Sequence, residues 1–323
     1  MKAAPRQDTI HVALAADGNY AMTLAVAIAS AARNCSPGRR LRFHVIQSGF
    51  GPELREKVEA SLERSEYPDA SIDWLDAQFG RIQNLKIAHS YITPMTYARL
   101  LIPDLLPVNV EKVLYLDSDL VVLDDLGELW DTDVTHKTVF AARDLIGFVS
   151  APAGLANYRE LGIPSDAKYF NAGVLLMNLR KWREGHTSDR VFEYLEMHRE
   201  IIKLNDQEGL NAILFSVWGE LDFRWNWQIP WRYHRLGKRK MPWIPETKRK
   251  SIVHFTTAEK PWVAGCDYEE RKYFFQYLDH TPWAGWHVPY FEEVSQRSRR
   301  TLSEMKATAR NLLFASPRLL KPY

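Results

Sequence analysis

The chain has 323 residues, of which 46% are hydrophobic and 25% charged, and its formal net charge is +2. That composition excludes a disordered chain, and so small a net charge gives no reason to expect a nucleic-acid partner. The two cysteines, Cys35 and Cys266, are too few and too far apart for a disulfide framework or a zinc site, so ordinary thiols in a reducing compartment are expected.

The N-terminal MKAAPRQDTI has no apolar core of a secretory signal. IHVALAA (10–16) is an unbroken apolar run, as expected of a strand covered on both faces. DGNY (17–20) interrupts it, and an apolar helix over 21–33 follows, too short to span a bilayer. RLRFHVIQ (40–47) reads as a second strand, PELREKVEASLER (52–64) as a charged amphipathic helix and SIDWLDA (71–77) as a third strand. YARLLIPDLL (97–106) looks helical, and KVLYLDSD (112–119) is a fourth strand ending in acids. TVFAARD (138–144) and NAGVLLMN (171–178) are further strands, SDRVFEYLEMHRE (188–200) and DQEGLNAILF (206–215) helices, and SIVHFTT (251–257) a late strand.

Strands alternating with helices predict an α/β fold with a mostly parallel sheet, whose ligands lie beyond the carboxyl ends of the strands. Three polar motifs fall at such ends: DGN after the first strand, DSD (117–119) after the fourth, and His254 closing the late strand. Residues i and i+2 of an extended chain share a face, so Asp117 and Asp119 repel each other unless a cation lies between them. Oxygen ligands suit Mg²⁺ or Mn²⁺, and an imidazole, for which His254 is the candidate, tilts the choice to Mn²⁺. The competing reading is a solvated strand end.

KVLYLDSDLVVLDDLGELWDTD, YFNAGVLLMNLRKWR and HFTTAEKPW, in this order, resemble glycosyltransferase family 8, in particular bacterial lipooligosaccharide α-1,4-galactosyltransferases and related α-glycosyltransferases. The resemblance runs from about residue 9 to about residue 265. It implies a GT-A fold, a Rossmann-like nucleotide-binding sheet with an acceptor-side extension. It also implies a UDP-hexose donor, Mn²⁺ (Mg²⁺ as the alternative), and transfer with retention of configuration. By it Asp117, Asp119 and His254 ligate the metal, and Ser118 lies within the same donor-binding motif. Ala15, Asp17 and Asn19 would contact uridine, although the family often has a second acid where Gly18 stands. Arg99 matches an arginine near the donor sugar and diphosphate; Asn171, Ala172 and Asp144 would meet the hexose. Asp206 would bind hexose hydroxyls, where by itself it would read as a helix N-cap. Gln207 would lie on the face opposite the leaving group. A carboxylate there would be a competent nucleophile; an amide is a poor one, which favours front-face attack. Lys260 matches the diphosphate lysine, and Thr257 stands where the family often has a glycine, leaving its phosphate contact open.

Residues 1–265 are therefore expected to form the GT-A domain and 266–323 a C-terminal extension. Trp218, Trp225, Trp227, Trp231 and Trp243, interleaved with Arg and Lys, suit a phosphorylated or lipid-linked saccharide acceptor, or else are core. From 295 onward seven Lys or Arg stand against one acidic residue, with Leu302, Met305, Ala309, Leu312 and Leu313 at helical spacing. That pattern fits an interfacial helix on anionic lipid, hence a cytoplasmic protein peripheral on the inner face of the membrane; a solvated terminus is the alternative. Two other functions remain open: a sugar-nucleotide-binding protein without external transfer (inactive or self-glycosylating), and a basic, aromatic binder of anionic polymers.

Overall fold

Strand β1 (Thr9–Asp17) is the spine of the protein. Its apolar run is covered on both faces: Ala13 and Ala15 point to one core, Val12, Leu14 and Ala16 to the other, with the period of two that a strand imposes. The computed structural model describes residues 9–77, 79–88, 92–229, 249–256, 258–289 and 292. Around β1 lies a seven-stranded sheet in the order β3-β2-β1-β4-β7-β6-β8. Its members are β2 (Arg40–Ser48), β3 (Ala70–Asp76), β4 (Lys112–Leu116), β6 (Val139–Phe148), β7 (Lys168–Asn178) and β8 (Trp218–Leu221). Only β7 runs against the other strands of this sheet, pairing antiparallel with both β4 and β6. The expected mostly parallel α/β architecture is what forms.

Helix α1 (Ala21–Arg33) is nearly all small and apolar, and this lets it bury eleven of its thirteen residues. With α2 (Pro52–Glu63) it covers one face of the sheet, against Phe43, Val45, Leu114 and Leu176. The other face packs Tyr97, Tyr115, Leu175 and Met177 beneath α5 (Leu179–Glu184), α6 (Thr187–Met197) and α7 (Asn205–Leu214). A second, three-stranded sheet has β10 (Ile252–His254) in its centre, antiparallel to β5 (Leu120–Val122) and parallel to β9 (Trp227–Gln228). Val121, Val253 and Phe255 meet Val26 of α1 and Phe274, Tyr277 and Leu278 of α8 (Arg271–Leu278) in a third cluster. The described part of the chain after residue 265 thus packs onto this small sheet. Between β5 and β6 lies the short α4 (Leu126–Trp130).

Four sequence expectations change. The segment around 97–106 is a 3-10 helix, Pro94–Leu101, followed by one α-turn, α3 (Ile102–Leu105), because Pro94 and Pro103 each start a new segment. The fourth strand stops at Leu116, so Asp117 and Asp119 are not on an extended chain: the backbone leaves the large sheet there and enters the small one as β5. β7 begins at Lys168, three residues before the NAG segment, which therefore lies inside the strand. The late strand is only Ile252–His254, and it belongs to the small sheet. Trp218 and Trp225 are core and Trp227 is half-buried. Trp231, Trp243, Thr257 and the basic tail with Leu302, Met305, Ala309, Leu312 and Leu313 lie outside the described residues. Among the described residues no helix is long and apolar enough to cross a membrane.

Candidate active site

The register of β7 gathers the site. Leu116, the last residue of β4, pairs with Val174, so the antiparallel run brings Asn171, Ala172 and Gly173 alongside the acidic loop that leaves β4. That loop is stitched to both sheets: Asp117 N donates to Gly173 O (2.8 Å), and Phe255 N donates to Asp119 O (3.1 Å). The second bond carries His254 into place beside the aspartates.

The two carboxylates converge on the imidazole although they do not share a strand face. His254 Nε2 lies 3.5 Å from Asp117 Oδ2 and 3.1 Å from Asp119 Oδ1. One oxygen of each aspartate and a ring nitrogen of His254 all fall within 4.8 Å of one another. Protein groups already compensate most of the buried charge. Asp117 Oδ1 accepts from Arg99 Nη2 (2.9 Å) and from the Tyr115 hydroxyl (2.7 Å), while Asp119 Oδ2 accepts from Lys260 Nζ. Burial alone would raise the Asp119 pKa, but the Lys260 ammonium foremost holds it well below the usual carboxylate range. What is left over is Asp119 Oδ1, buried and without a hydrogen bond. Such an orphan is rare in folded proteins and needs a partner of another kind. One carboxylate oxygen from each of two aspartates beside an imidazole nitrogen fits a Mn²⁺-like ion, so these residues suit the divalent cation that the motifs imply.

Gly173 is part of this geometry in a way its sequence context did not reveal. A Cβ there would lie 2.1 Å from His254 Cε1 and 2.7 Å from Asp117 Oδ2. The glycine makes room for the imidazole and the carboxylate.

Beside the acidic loop, α7 and β6 supply a second polar group. A register shift in β6 between Ala141 and Arg143 redirects the strand next to Asn171. Asp144 Oδ1 accepts from Ile146 N (2.8 Å), and its Oδ2 from Asn171 Nδ2 (2.9 Å) and Gln207 Nε2 (3.2 Å). Burial nevertheless pushes the Asp144 pKa up. Gln207 Oε1 accepts from Ala172 N (2.9 Å), so both ends of that amide are engaged. Asp206 does not cap α7. The cap position is Leu204, and Asp206 Oδ1 instead accepts from Thr96 Oγ1 (2.7 Å) while Oδ2 lies 2.9 Å from Arg99 Nε. Burial raises the Asp206 pKa as well. Asn205, in the left-handed region at φ 52°, accepts from Ala88 N (2.8 Å) and so ties the start of α7 to the chain before the 3-10 helix. Arg99, 5% exposed, is the shared partner of the two groups: its guanidinium binds Asp117 and Asp206 together and also donates to the carbonyl of Ala172.

The walls enclose a cavity of about 580 Å³, within the range of small-molecule sites. Ala15, Asp17, Arg99, Asp117, Ser118, Asp119, Asp144, Asn171, Ala172, Asp206, Gln207, His254 and Lys260 all line it, together with Tyr20, Thr96, Tyr115 and Gln228, which the sequence did not single out. Asn19 is exposed and lies off the cavity wall; its backbone N–H donates to Asp17 Oδ1 (2.9 Å), which caps the 3-10 turn Gly18–Tyr20. A Cβ at Gly18 would come within 2.8 Å of the Gly49 carbonyl, so the acid found there in many family members has no room against this turn.

A Rossmann-like sheet of this order, with an Asp-x-Asp loop at the carboxyl end of its central strands, defines a glycosyltransferase of the GT-A type. The model of glycosyl transferase family 8 matches residues 11–266, and the chain belongs to that family. Among curated proteins it is 29% identical over 289 residues to general stress protein A of Bacillus subtilis, spanning 86% of this chain and 96% of that one. It is 28% identical over 274 residues to the probable galacturonosyltransferase-like 9 of Arabidopsis thaliana, with 79% and 67% covered. Among solved structures it resembles the galactosyltransferase LgtC in complex with donor and acceptor sugar analogs, at TM-score 0.72 and 27% identity, covering 87% of this chain and 98% of that one. The glycosyltransferase GlyE of Streptococcus pneumoniae follows at TM-score 0.63 and 25% identity, with 84% and 60% covered.

Proposed function

We propose that this glycosyltransferase moves galactose or glucose from a UDP-hexose to a glycan or lipid-linked saccharide, with retention of configuration and with Mn²⁺. The observation that carries the reading is the orphaned Asp119 Oδ1 facing Asp117 and His254 in the same cavity as the Asp144–Gln207–Asp206 group. A divalent cation held by Asp117, Asp119 and His254 would supply Lewis-acid stabilisation to the departing diphosphate. The protein's own groups do the rest. Lys260 offers an ammonium to the diphosphate, and Asp17 and Ala15 lie at the mouth of β1 where the nucleoside would rest. Asp144, Asn171 and Asp206 offer acceptors and donors to the sugar hydroxyls. Gln207 Oε1 already accepts from Ala172 N, and its weakly basic carbonyl makes a poor nucleophile, which supports front-face attack over a covalent intermediate.

Charge argues for a neutral sugar. Five carboxylates line the cavity, at Asp17, Asp117, Asp119, Asp144 and Asp206. Its permanent cations among the described residues are Arg99 and Lys260, and both are engaged by aspartates. A donor with a carboxylate at C6, such as a galacturonosyl group, would meet like charge, and among the described residues no unengaged cation lines the cavity to receive it.

The test is UDP release from purified protein with Mn²⁺ and, in parallel, UDP-galactose, UDP-glucose or UDP-galacturonic acid. Slow turnover of one neutral donor, abolished by EDTA and by Asp119→Asn, is the expected result. Turnover of the uronic donor alone would overturn the charge argument, and failure of any nucleotide to bind would overturn the whole reading. The basic tail is proposed to hold the protein on anionic membrane: deleting 295–323 should release it from anionic vesicles.

A further inference from the structure

Asn226 was not a sequence candidate, has no place in the chemistry above and is fully buried at 0% exposure. It closes the 3-10 turn Phe223–Asn226, whose first turn is capped by Asp222. Its amide lies between the candidate metal ligand His254 and the sugar-side residue Asn171: His254 Nδ1 is 2.9 Å from Asn226 Oδ1, and Asn226 Nδ2 is 2.8 Å from Asn171 Oδ1.

The direction of every bond in this chain is dictated from its far end. Asp144 turns acceptor oxygens to Ile146 N, Gln207 Nε2 and Asn171, so Asn171 faces it with Nδ2. That turns Asn171 Oδ1 the other way, an orientation fixed independently by Gly173 N, which donates to the same oxygen (2.9 Å). Asn226 must then present Nδ2 to Asn171 and Oδ1 to His254. An Asn226 turned the other way would set oxygen against oxygen at 2.8 Å in a site without solvent. With Oδ1 facing it, His254 carries a proton on Nδ1, and Nε2 is the nitrogen whose lone pair faces Asp117 and Asp119.

We propose that Asn226 is a positioning residue that fixes His254 in the tautomer able to ligate a cation, relaying the constraint from Asp144 through Asn171. It acts through His254 and touches neither cation nor sugar. The inference rests on the metal site of the proposed function, and it explains why a buried amide joins the two halves of the cavity: the residues around the sugar and the ligand of the cation are set by one chain of hydrogen bonds.

The test uses the full chain and Mn²⁺ alone, without donor, followed by calorimetry. Asn226→Leu removes both bonds and is expected to weaken Mn²⁺ binding by roughly 10–100-fold, the usual effect of losing the group behind a ligating histidine. Asn226→Asp keeps an acceptor for Nδ1–H, but its second oxygen must carry a proton to face Asn171 Oδ1, so it is expected to lose less affinity than Asn226→Leu without reaching wild type, a partial rescue that a purely space-filling role would not produce. Folded Asn226→Leu protein with wild-type affinity overturns the proposal, as does equal loss in both variants. Nitrogen-15 spectra of the wild-type ring, assigned by their loss in His254→Asn, provide a test that no variant's folding can spoil. They are recorded after EDTA treatment, at a pH high enough that the ring holds one proton. Protonation at Nδ1 is expected, and protonation at Nε2 overturns the relay. If wild-type protein binds no Mn²⁺, the metal reading fails by itself, and the ring spectra still decide the relay.

Discussion

Replacing Gly173 by alanine isolates the contact on which the proposed cation site depends. The added methyl would start 2.1 Å from His254 Cε1, where ordinary contact begins at 3.4 Å, so one side must retreat by more than an ångström. The strand cannot: Gly173 O receives Asp117 N, and its own N–H is bound to Asn171. The ring is the part that moves, although it is 3% exposed and held at Nδ1. Overpacking of this kind costs about 1–3 kcal/mol of stability. Metal ligands tolerate displacements of only about 0.2 Å, so His254 should drop out of the donor set. Mn²⁺ affinity should fall at least about tenfold, equivalent to ~1.4 kcal/mol. Calorimetry with Mn²⁺ reads the affinity, and urea denaturation reads the stability. Gly219→Ala is the control: its methyl would meet Phe140 Cε1 at 2.2 Å, between β6 and β8 and away from the cavity lining. It should lose stability and keep Mn²⁺ affinity. Wild-type Mn²⁺ affinity in Gly173→Ala would refute the packing of glycine against imidazole described here.

Two further outcomes are expected elsewhere in the molecule. His44 is buried in β2 beside His11, Asp73 and Arg42, and burial foremost, then the neighbouring His11, lowers its pKa to about 4. The unfolded chain therefore takes up a proton between pH 6.5 and about 4 that the folded chain refuses, so stability falls as pH drops through that window, by on the order of 3 kcal/mol. Urea midpoints between pH 4.5 and 7 should show this slope, and His44→Gln should flatten it; an unchanged slope rules out His44 as its source. Arg99→Lys cannot hold Asp117 and Asp206 together, since an ammonium lacks the fork of a guanidinium. Breaking such a buried pair should cost about 3–5 kcal/mol in urea denaturation, and a cost below ~1 kcal/mol would show that Arg99 is not the shared partner.

The architecture was legible wherever one apolar pattern decided a strand. IHVALAA could only be a strand with both faces covered, and β1 is that strand. The acidic pair was legible as a candidate cation site, but its two carboxylates converge for another reason than the one expected. Equal facing on an extended chain was expected, yet the aspartates lie on a turn and are aimed by Arg99, Tyr115 and Lys260. Those three come from a 3-10 helix, a strand and a late loop, and no local pattern links them. Asp206 shows the same limit from the other side. An aspartate at the start of a helix reads as a cap, and only the tertiary placement of Thr96 and Arg99 turns it elsewhere. Asn226 left no trace in sequence, because a lone asparagine among tryptophans signals nothing until His254 and Asn171 are seen on either side of it.

The small sheet has a bearing on how the chain is made. β5 is all buried apolar residues, and its partner β10 lies more than a third of the chain further on. While the protein is being synthesised, β5 waits with an open, greasy edge until Ile252–His254 emerges and pairs with it. Such an edge is an invitation to pair with another chain. Products that stop before β10 should therefore aggregate even though every strand of the seven-stranded sheet is already present in them. The order of synthesis also makes the acquisition of a complete Asp117–Asp119–His254 set one of the last events of folding, simultaneous with the covering of that edge.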